Sequence, residues 1–240
     1  QIWPVIEKPS LPGARLRCRS EAEIIHATFY NKKPYRLRSD QRLISTLHDM
    51  TPERYPEQFI LGKWRSAHAN KKSWLEASDL IISNSEASAD DLSFFWPNIK
   101  TTLKVIPLAT TIGSQAPQPI ANLENKSFWI FVGKSHDYKN GKILLKALSA
   151  LKKSKVIDDM LMIFIGGKAW SRDERTIIHQ NDLDQHVLKM YPDDAQLAWL
   201  YRHCCAVLVP SLAEGFSLPL IEALSCNAPL AVSDLEIHRE

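Results

Sequence analysis

Long hydrophobic runs and cysteine are the features that this sequence of 240 residues has least of. No apolar run approaches the roughly 20 residues that a helix needs to cross a bilayer, so we expect neither a membrane-spanning helix nor a signal peptide. The 4 cysteines show no metal-ligand spacing, and the neighbouring Cys204 and Cys205 favour packing over a disulfide framework. This cysteine usage suits a reducing compartment, and we expect a cytoplasmic protein.

Metal and dinucleotide signatures are also missing. No Gly-x-Gly-x-x-Gly turn follows a predicted strand, which argues against a dinucleotide-dependent oxidoreductase. No Asp-x-Asp motif stands at a strand end, and we interpret the aspartate pairs at 90–91, 158–159 and 193–194 as solvated helix or turn residues. The sequence therefore predicts no bound metal and no cofactor.

Acidic residues are scarce in the first part of the chain. From Lys8 to Lys72 there are 14 Lys and Arg against 6 Asp and Glu, although the net charge of the whole chain is only +3. This basic half can face anionic lipid head groups or a phosphorylated acceptor. A solvated basic face without a partner explains it equally well. No nucleic-acid-binding motif accompanies the charge, so we expect no nucleic acid to be bound.

Apolar segments of strand length alternate with helical patterns along the chain. The alternation predicts an α/β protein with two parallel, doubly wound sheets. Residues 110–127 combine Gly113 and Pro117 with polar residues, which is typical of an inter-domain linker. We therefore predict domains at 1–109 and 128–240, joined by this linker.

Strands and helices can be placed along both predicted domains. Predicted strands are 23–30, 42–49, 79–83, 128–132, 160–165, 187–190, 206–209 and 230–232, and an extended segment is predicted at 105–108. Predicted helices are 59–77, one that starts at 84–86, 142–151, 172–179, 195–203 and one that follows Ser217. In the first of these helices we expect Trp64, Ala67 and Trp74 to be buried, and in the last one Leu220, Ile221, Ala223 and Leu224.

The polar turn after the strand at 206–209 carries the clearest candidate site. Gly215 lets the backbone approach a ligand closely, and Ser217 is a candidate N-cap for a helix whose start favours a phosphate. Glu214 lies just before that start and Glu222 about one turn into the helix. Two carboxylates would repel a diphosphate unless each holds hydroxyl groups. A nucleotide sugar supplies them, from the sugar on one side and the ribose on the other, although two unconnected surface glutamates fit the spacing as well.

A second loop of suitable chemistry follows the predicted strand at 128–132. Gly133 lets the chain turn close to a phosphate, and Lys134 and Lys139 can converge on it with two ammonium groups. Such charge would stabilise a departing nucleoside diphosphate. Taken alone, the pattern also fits two solvated loop lysines.

The two loops together resemble the donor site of family-4 retaining glycosyltransferases, which have the GT-B fold of two Rossmann-like domains. Ser217 and Asn227 stand where that family commonly has glycine, and Lys134 replaces an arginine, which keeps the charge but loses bidentate geometry. His48 and Asp49 match the family's Thr-x-His-Asp-x-x-Pro motif. The other matching residues are Pro210, Ser211, Glu214, Gly215, Phe216, Leu218, Pro219, Glu222, Ala223, Cys226 and Pro229.

The resemblance implies an interior piece of a longer enzyme, with both domains incomplete in this chain. It implies a retaining hexosyltransferase that uses a nucleotide diphosphate sugar, neither metal nor enzyme nucleophile, and a glycan or lipid-linked acceptor. The sequence motif around His48 is similar to that of bacterial mannosyltransferases of surface-polysaccharide synthesis, so GDP-mannose is the expected donor. A non-catalytic nucleotide-sugar-binding or scaffold protein of the same fold is the alternative.

A peripheral contact of the basic first half with the inner face of the membrane is also expected.

Residue roles follow from the same resemblance. The predicted catalytic residues are His48, Lys139 and Glu214. The predicted donor-binding residues are Gly133, Lys134, Gly215, Phe216, Ser217 and Glu222.

Overall fold

The structure of the chain is a computed structural model that describes residues 21–30, 37–59, 68–134, 137–155 and 159–240. Within these ranges it has nine strands and eight α-helices. The strands are β1 (Ile24–Ala27), β2 (Arg42–Leu47), β3 (Leu80–Ser83), β4 (Thr102–Val105), β5 (Phe128–Val132), β6 (Leu161–Ile165), β7 (Val187–Met190), β8 (Ala206–Val209) and β9 (Leu230–Val232). The helices are α1 (Thr51–Arg54), α2 (Lys71–Ala77), α3 (Glu86–Phe95), α4 (Lys142–Lys153), α5 (Arg172–Gln180), α6 (Asp194–His203), α7 (Leu218–Ser225) and α8 (Glu236–Arg239).

The strands form two sheets in which every neighbouring pair is parallel. The first sheet has the order β1-β2-β3-β4, and the second has the order β7-β6-β5-β8-β9. From β5 the chain proceeds to β6 and β7 in one direction and later to β8 and β9 in the other. The carboxyl ends of β5 and β8 therefore meet at a topological switch point, which is where open α/β sheets bind ligands.

Each sheet has its own hydrophobic core. In β5, Phe128 and Ile130 pack on one face of the second sheet with Trp199, while Phe131 packs on the other face with Phe164. This alternation explains why β5 is apolar at every position, because both faces of the strand are covered. The expected α/β class with parallel sheets is confirmed.

Local capping signals set several helix starts. The hydroxyl of Ser85 accepts a hydrogen bond from the Ser88 amide at 3.0 Å and so caps α3, which begins where a helix start was predicted. Helix α5 begins with a capping box between Ser171 and Glu174. These polar starts place the helices so that their apolar faces cover the strands.

Residues 110–127 lie against the second sheet. Ile112 and Leu123 are buried in the same core cluster as Phe128, and the Gln118 amide donates to the Ala195 carbonyl at 3.0 Å. The division of the chain into domains at 1–109 and 128–240 stays a prediction.

Four strands, β5, β7, β8 and β9, have the predicted bounds. The extended segment predicted at 105–108 overlaps the sheet only at Val105, because the ladder with β3 runs through β4 and ends there. Two predicted buried residues are exposed, namely Cys205 and Leu224. Trp74 is buried as expected, but Trp64 and Ala67 lie outside the described residues.

No helix in the described ranges is long and apolar enough to cross a membrane. Most of the residues that make the first half basic, such as Arg15 and Lys32, lie outside those ranges.

Candidate functional site

A cleft between the two sheets gathers most of the predicted site residues. Its volume is about 430 Å³, and its walls come from β5 and from the segments after β2, β3, β4, β5 and β8. Lys134 is exposed and does not belong to the lining. The predicted residues that line the cleft are His48, Gly133, Lys139, Glu214, Gly215, Phe216, Ser217 and Glu222.

Lys139 and Glu214 form an ion pair in this cleft. The Lys139 Nζ lies 2.7 Å from each carboxylate oxygen of Glu214, and the Ser211 hydroxyl donates to Oε1 at 2.6 Å. The two side chains are only 19% and 5% exposed. The amine thus neutralises the carboxylate in a partly buried setting, and both groups border the space where a ligand would lie.

Hydrogen bonds between the two loops fix this pair. The Leu212 amide donates to the Tyr138 carbonyl at 2.7 Å, and the Asn140 side chain donates to the Pro210 carbonyl at 3.2 Å. Asn140 has a φ of 55°, which turns the chain from the loop into α4. The loops after β5 and β8 therefore act as one wall of the cleft.

Ser217 precedes α7 but does not cap it through its side chain. Its backbone is left-handed, with φ 60° and ψ 63°, and no side-chain capping bond is formed. The residue is 3% exposed, and its Oγ has no hydrogen-bond partner. The expectation of an N-cap hydroxyl was wrong, because an N-cap residue has an extended backbone and Ser217 instead adopts a left-handed conformation that suits glycine.

Glu222 reaches the cleft from α7 and is held from behind. The Tyr201 hydroxyl, on α6, donates to Glu222 Oε2 at 2.8 Å. Burial raises the pKa of Glu222, whereas the hydrogen bond from Tyr201 lowers it and the charge of Asp194 raises it. The contact between Tyr201 and Glu222 was not predicted from the sequence, because no sequence pattern links two residues that are 21 positions apart in this way.

His48 lies on the opposite wall of the cleft, after β2. Its Nε2 is 2.6 Å from the Thr28 carbonyl oxygen, so Nε2 donates and Nδ1 remains an acceptor in the neutral ring. Asp49 accepts a hydrogen bond from the Thr51 amide at 2.9 Å, which supports the loop. His26 bonds the Thr46 hydroxyl at 2.8 Å and does not line the cleft.

Gly215 is required for contact between the two halves of the site. A Cβ at this position would overlap the backbone oxygen of His48 and lie 2.5 Å from the Asp49 Cβ. The hydroxyls of Ser85 and Ser88 donate to the Gly215 carbonyl at 2.6 and 3.1 Å. The sequence indicated a glycine that approaches a ligand, but the closest approach is to the backbone of the opposite wall.

The chemistry of the cleft suits a ligand that has both negative charge and hydroxyl groups. An amine and the positive end of the α7 dipole face the same space as two carboxylates, one of them already neutralised by the amine. Among the described residues, no group of three His, Cys, Asp or Glu could hold a metal ion.

A family model described as "Glycosyl transferases group 1" matches residues 115–240. The chain is 24% identical over 216 residues to the O-antigen chain mannosyltransferase B of Escherichia coli, with 84% of this chain and 55% of the relative covered. It is 24% identical to the O-antigen chain mannosyltransferase RfbU of Salmonella typhimurium, with 81% and 53% covered. The chain thus spans about half the length of the curated relatives it matches.

Solved structures with the same fold include the sucrose-phosphate synthase of Thermosynechococcus elongatus. Its TM-score is 0.66 at 19% identity, over 91% of this chain and 58% of that one. Anabaena HepE in complex with UDP and glucose has a TM-score of 0.61 at 18% identity, over 83% of this chain and 55% of that one. These likenesses confirm the GT-B arrangement expected from the sequence, of which this chain covers a part.

Proposed function

Because the chain belongs to the glycosyl transferases group 1 family, we propose that it forms the donor cleft of a glycosyltransferase. The transferred group is a hexose, carried by a nucleoside diphosphate. The observation that carries the proposal is the convergence of Lys139, Glu214 and Glu222 on one cleft between the sheets. An amine beside the start of α7 suits a diphosphate, and the carboxylates suit hydroxyl groups on either side of it.

Each side chain has a role in the proposed transfer. Lys139 and the α7 start stabilise the charge that develops on the leaving diphosphate. Glu214 accepts hydrogen bonds from the donor sugar, and Glu222 from the ribose. His48 faces the sugar from the opposite wall, where its Nδ1 is available as an acceptor. Gly133, Gly215, Phe216 and Ser217 shape the wall around the diphosphate. Lys134, which is exposed outside the lining, contributes only longer-range positive charge.

The proposed reaction retains the configuration of the sugar. The bond between the anomeric carbon and the diphosphate breaks, and a bond to the acceptor oxygen forms on the same face. The proton of the acceptor hydroxyl passes to an oxygen of the leaving diphosphate. This route needs no metal and no enzyme nucleophile, and it places the transition-state charge next to Lys139.

Mannose is the proposed sugar, GDP-mannose the proposed donor, and a glycan or lipid-linked hydroxyl the proposed acceptor. Two relatives are named O-antigen chain mannosyltransferases, which supports this choice. The excess of positive charge between Lys8 and Lys72 supports a peripheral contact with anionic lipid. Flotation with vesicles of phosphatidylcholine with and without phosphatidylserine tests that contact.

Nucleotide binding and sugar transfer by the full chain test the proposed function. We expect GDP to raise the melting temperature more than UDP or ADP, and GDP-mannose to be hydrolysed or used as a donor. Lys139→Ala and Glu214→Ala should abolish turnover. Lys142→Ala is the matched control, because Lys142 pairs with Asp173 at 3.0 Å outside the cleft.

The two halves of this test separate the outcomes. Binding of a nucleoside diphosphate without transfer or hydrolysis would support the non-catalytic binding protein instead. Equal loss of turnover in Lys142→Ala and Lys139→Ala would remove the role assigned to Lys139.

A further inference from the structure

Tyr201 lies behind the cleft rather than in it. Its side chain is fully buried at 0% exposure, between the second sheet and α7, in the core cluster that contains Trp199 and Ala223. The hydroxyl points out of this apolar cluster and donates to Glu222 Oε2 at 2.8 Å. A residue of the hydrophobic core thus contacts a carboxylate that lines the proposed ligand site.

The direction of this hydrogen bond is fixed. Burial and the neighbouring Glu222 charge raise the pKa of Tyr201 far above its usual value, so the phenol stays protonated. While Glu222 is ionised, the hydroxyl is then the donor and the carboxylate the acceptor. A buried hydroxyl that lost this acceptor would remain unsatisfied, so the bond resists any rotation of Glu222 away from Tyr201.

We infer that Tyr201 is a positioning residue, which fixes the Glu222 carboxylate so that its remaining acceptor sites face the cleft and select ligands with vicinal hydroxyl groups. An ionised carboxylate has about four acceptor sites, and the phenol occupies one of them. A pair of neighbouring ribose hydroxyls can use two of the others only if the plane of the carboxylate is held. The inference rests on the proposed function, because it assigns the ribose to Glu222.

The affinity ratio between a nucleotide and its deoxygenated counterpart measures this role. The probes are GDP with 2′,3′-dideoxy-GDP, and UDP with 2′,3′-dideoxy-UDP, titrated calorimetrically into the full chain. We expect the wild-type protein to bind the better nucleotide more tightly than its dideoxy form by about tenfold or more, the order of a hydrogen bond to a charged group. In Tyr201→Phe this preference should fall to within about threefold of unity.

The choice of a ratio protects the test from a folding defect. Both affinities come from the same preparation, so a reduced folded fraction changes the stoichiometry and leaves the ratio intact. Tyr30→Phe is the matched control, because Tyr30 is also buried and also donates from its hydroxyl, to the Thr46 carbonyl in the first sheet. This control should keep the wild-type preference.

A second variant checks that Tyr201 acts through Glu222. Glu222→Gln should lose the preference by itself, and adding Tyr201→Phe to it should change the ratio no further. Independent, multiplying effects of the two substitutions would overturn the positioning role.

The pH dependence of binding gives a readout that a purely structural role would not move. Tyr201 and Asp194 act on Glu222 from α6, and Lys139, Glu214, His48 and Asp49 face it across the cleft. Because the hydrogen bond from Tyr201 lowers the pKa of Glu222, its removal raises that pKa further above the ordinary value. As the pH is lowered, the residual hydroxyl-dependent binding of Tyr201→Phe should therefore disappear at a higher pH than the corresponding binding of the wild type.

The possible results distinguish this inference from the proposed function. Wild-type preference for the hydroxylated nucleotide, kept unchanged in Tyr201→Phe, overturns the inference and leaves the proposed function standing. Absence of any nucleoside diphosphate binding by the wild-type protein overturns both.

Discussion

The Nζ of Lys139 lies 2.7 Å from both carboxylate oxygens of Glu214, although the two residues are 75 positions apart. The pair forms where the loops after β5 and β8 meet, at the switch point of the second sheet. The amine is thus occupied by a carboxylate. A diphosphate that binds here has to compete with Glu214 for Lys139, or share it.

This competition predicts opposite effects for two neutral substitutions. Lys139→Gln should weaken nucleoside diphosphate binding by about tenfold or more, because it removes a charge-assisted hydrogen bond. Glu214→Gln should leave that affinity unchanged or raise it, since it frees the amine and removes a negative charge from the site. Turnover of the donor sugar should fall in both variants. Calorimetric titration with GDP and UDP, together with donor hydrolysis rates, measures the two effects.

The direction in which each substitution changes the diphosphate affinity shows whether Glu214 competes with the ligand for Lys139. A matched loss of diphosphate affinity in both variants would mean that the pair stabilises the loop and does not compete with the ligand. Lys142→Gln, whose partner Asp173 lies outside the cleft, should match the wild type.

Because the backbone of Ser217 is strained, its substitution by glycine should stabilise the protein. A left-handed conformation costs a residue with a Cβ about 1–2 kcal/mol, and the unpartnered Oγ adds a desolvation cost. Ser217→Gly removes both, and after allowing for the greater freedom of glycine in the unfolded chain we expect a gain of about 1 kcal/mol. For a chain of this size, that corresponds to a rise of about 2–4 °C in the melting temperature.

Two further variants separate strain from the hydroxyl. Ser217→Ala removes the Oγ but keeps the strained φ, so it should stabilise less than Ser217→Gly. Asn227→Gly, at a φ of 57°, should gain less as well, because asparagine tolerates this conformation. A lower melting temperature for Ser217→Gly than for Ser217→Ala would contradict the strain argument.

Local signals predicted much of the fold. The strands β5 and β8 were recognisable because both are short apolar runs that end at a glycine or a proline. Asn227, which stands where the resembling family commonly has glycine, has a φ of 57° after α7, a conformation that asparagine tolerates. The hydroxyl of Ser217 was misjudged, because an N-cap preference says nothing about a site whose backbone is already left-handed.

The relationships that make the site depend on how the two sheets approach each other. Ser88 and Gly215 are 127 positions apart, and no periodicity in either segment indicates that a hydroxyl of one contacts the carbonyl of the other. The predicted gathering of Lys139, Glu214 and Glu222 came from a family resemblance, which already contains that tertiary information. Tyr201 had no such signal, and its hydrophobic surroundings made it look like core.

Substitution of the buried Lys71 should destabilise the protein, and the loss of stability should grow as the pH rises. Its side chain is 1% exposed, and its Nζ donates to the Glu53 carboxylate at 2.5 Å and to the Asp49 carbonyl at 2.8 Å. Lys71→Met leaves Glu53 buried without a cation and the His48–Asp49 loop without this donor. We expect a loss of about 3–5 kcal/mol near neutral pH. Chemical unfolding at a series of pH values measures it.

The sign of the pH effect follows from Glu53. Burial raises its pKa in the folded protein even beside Lys71, and removing that cation raises it further. A carboxyl whose pKa is higher in the folded state contributes stability at low pH, which is lost as the pH rises through the folded pKa. The deficit of Lys71→Met should therefore shrink toward acid pH. Lys72→Met is the control, because Lys72 is exposed and its partner Glu76 lies 3.9 Å away, so its cost should stay below about 0.5 kcal/mol.

Substitution of Gly215 by alanine should open the cleft while each half of the molecule stays folded. The Cβ of Gly215→Ala would overlap the His48 backbone oxygen and lie 3.1 Å from the Asp49 Cα, atoms that cannot rotate aside. We expect the two walls to separate, which also breaks the hydrogen bonds from Ser85 and Ser88. The radius of gyration from X-ray scattering should rise, and donor turnover should be lost because His48 no longer faces the sugar.

The second-sheet wall of the cleft keeps its own contacts in this variant, so nucleoside diphosphate binding should fall by less than about tenfold, a smaller loss than for Lys139→Gln. Gly113→Ala is the matched control, because its Cβ would lie 2.5 Å from the Ser225 carbonyl oxygen within the second half of the molecule. That variant should lose stability without a change in the radius of gyration. If Gly215→Ala kept both its compactness and its turnover, the close approach of Gly215 to His48 could not be what brings the two walls of the site together.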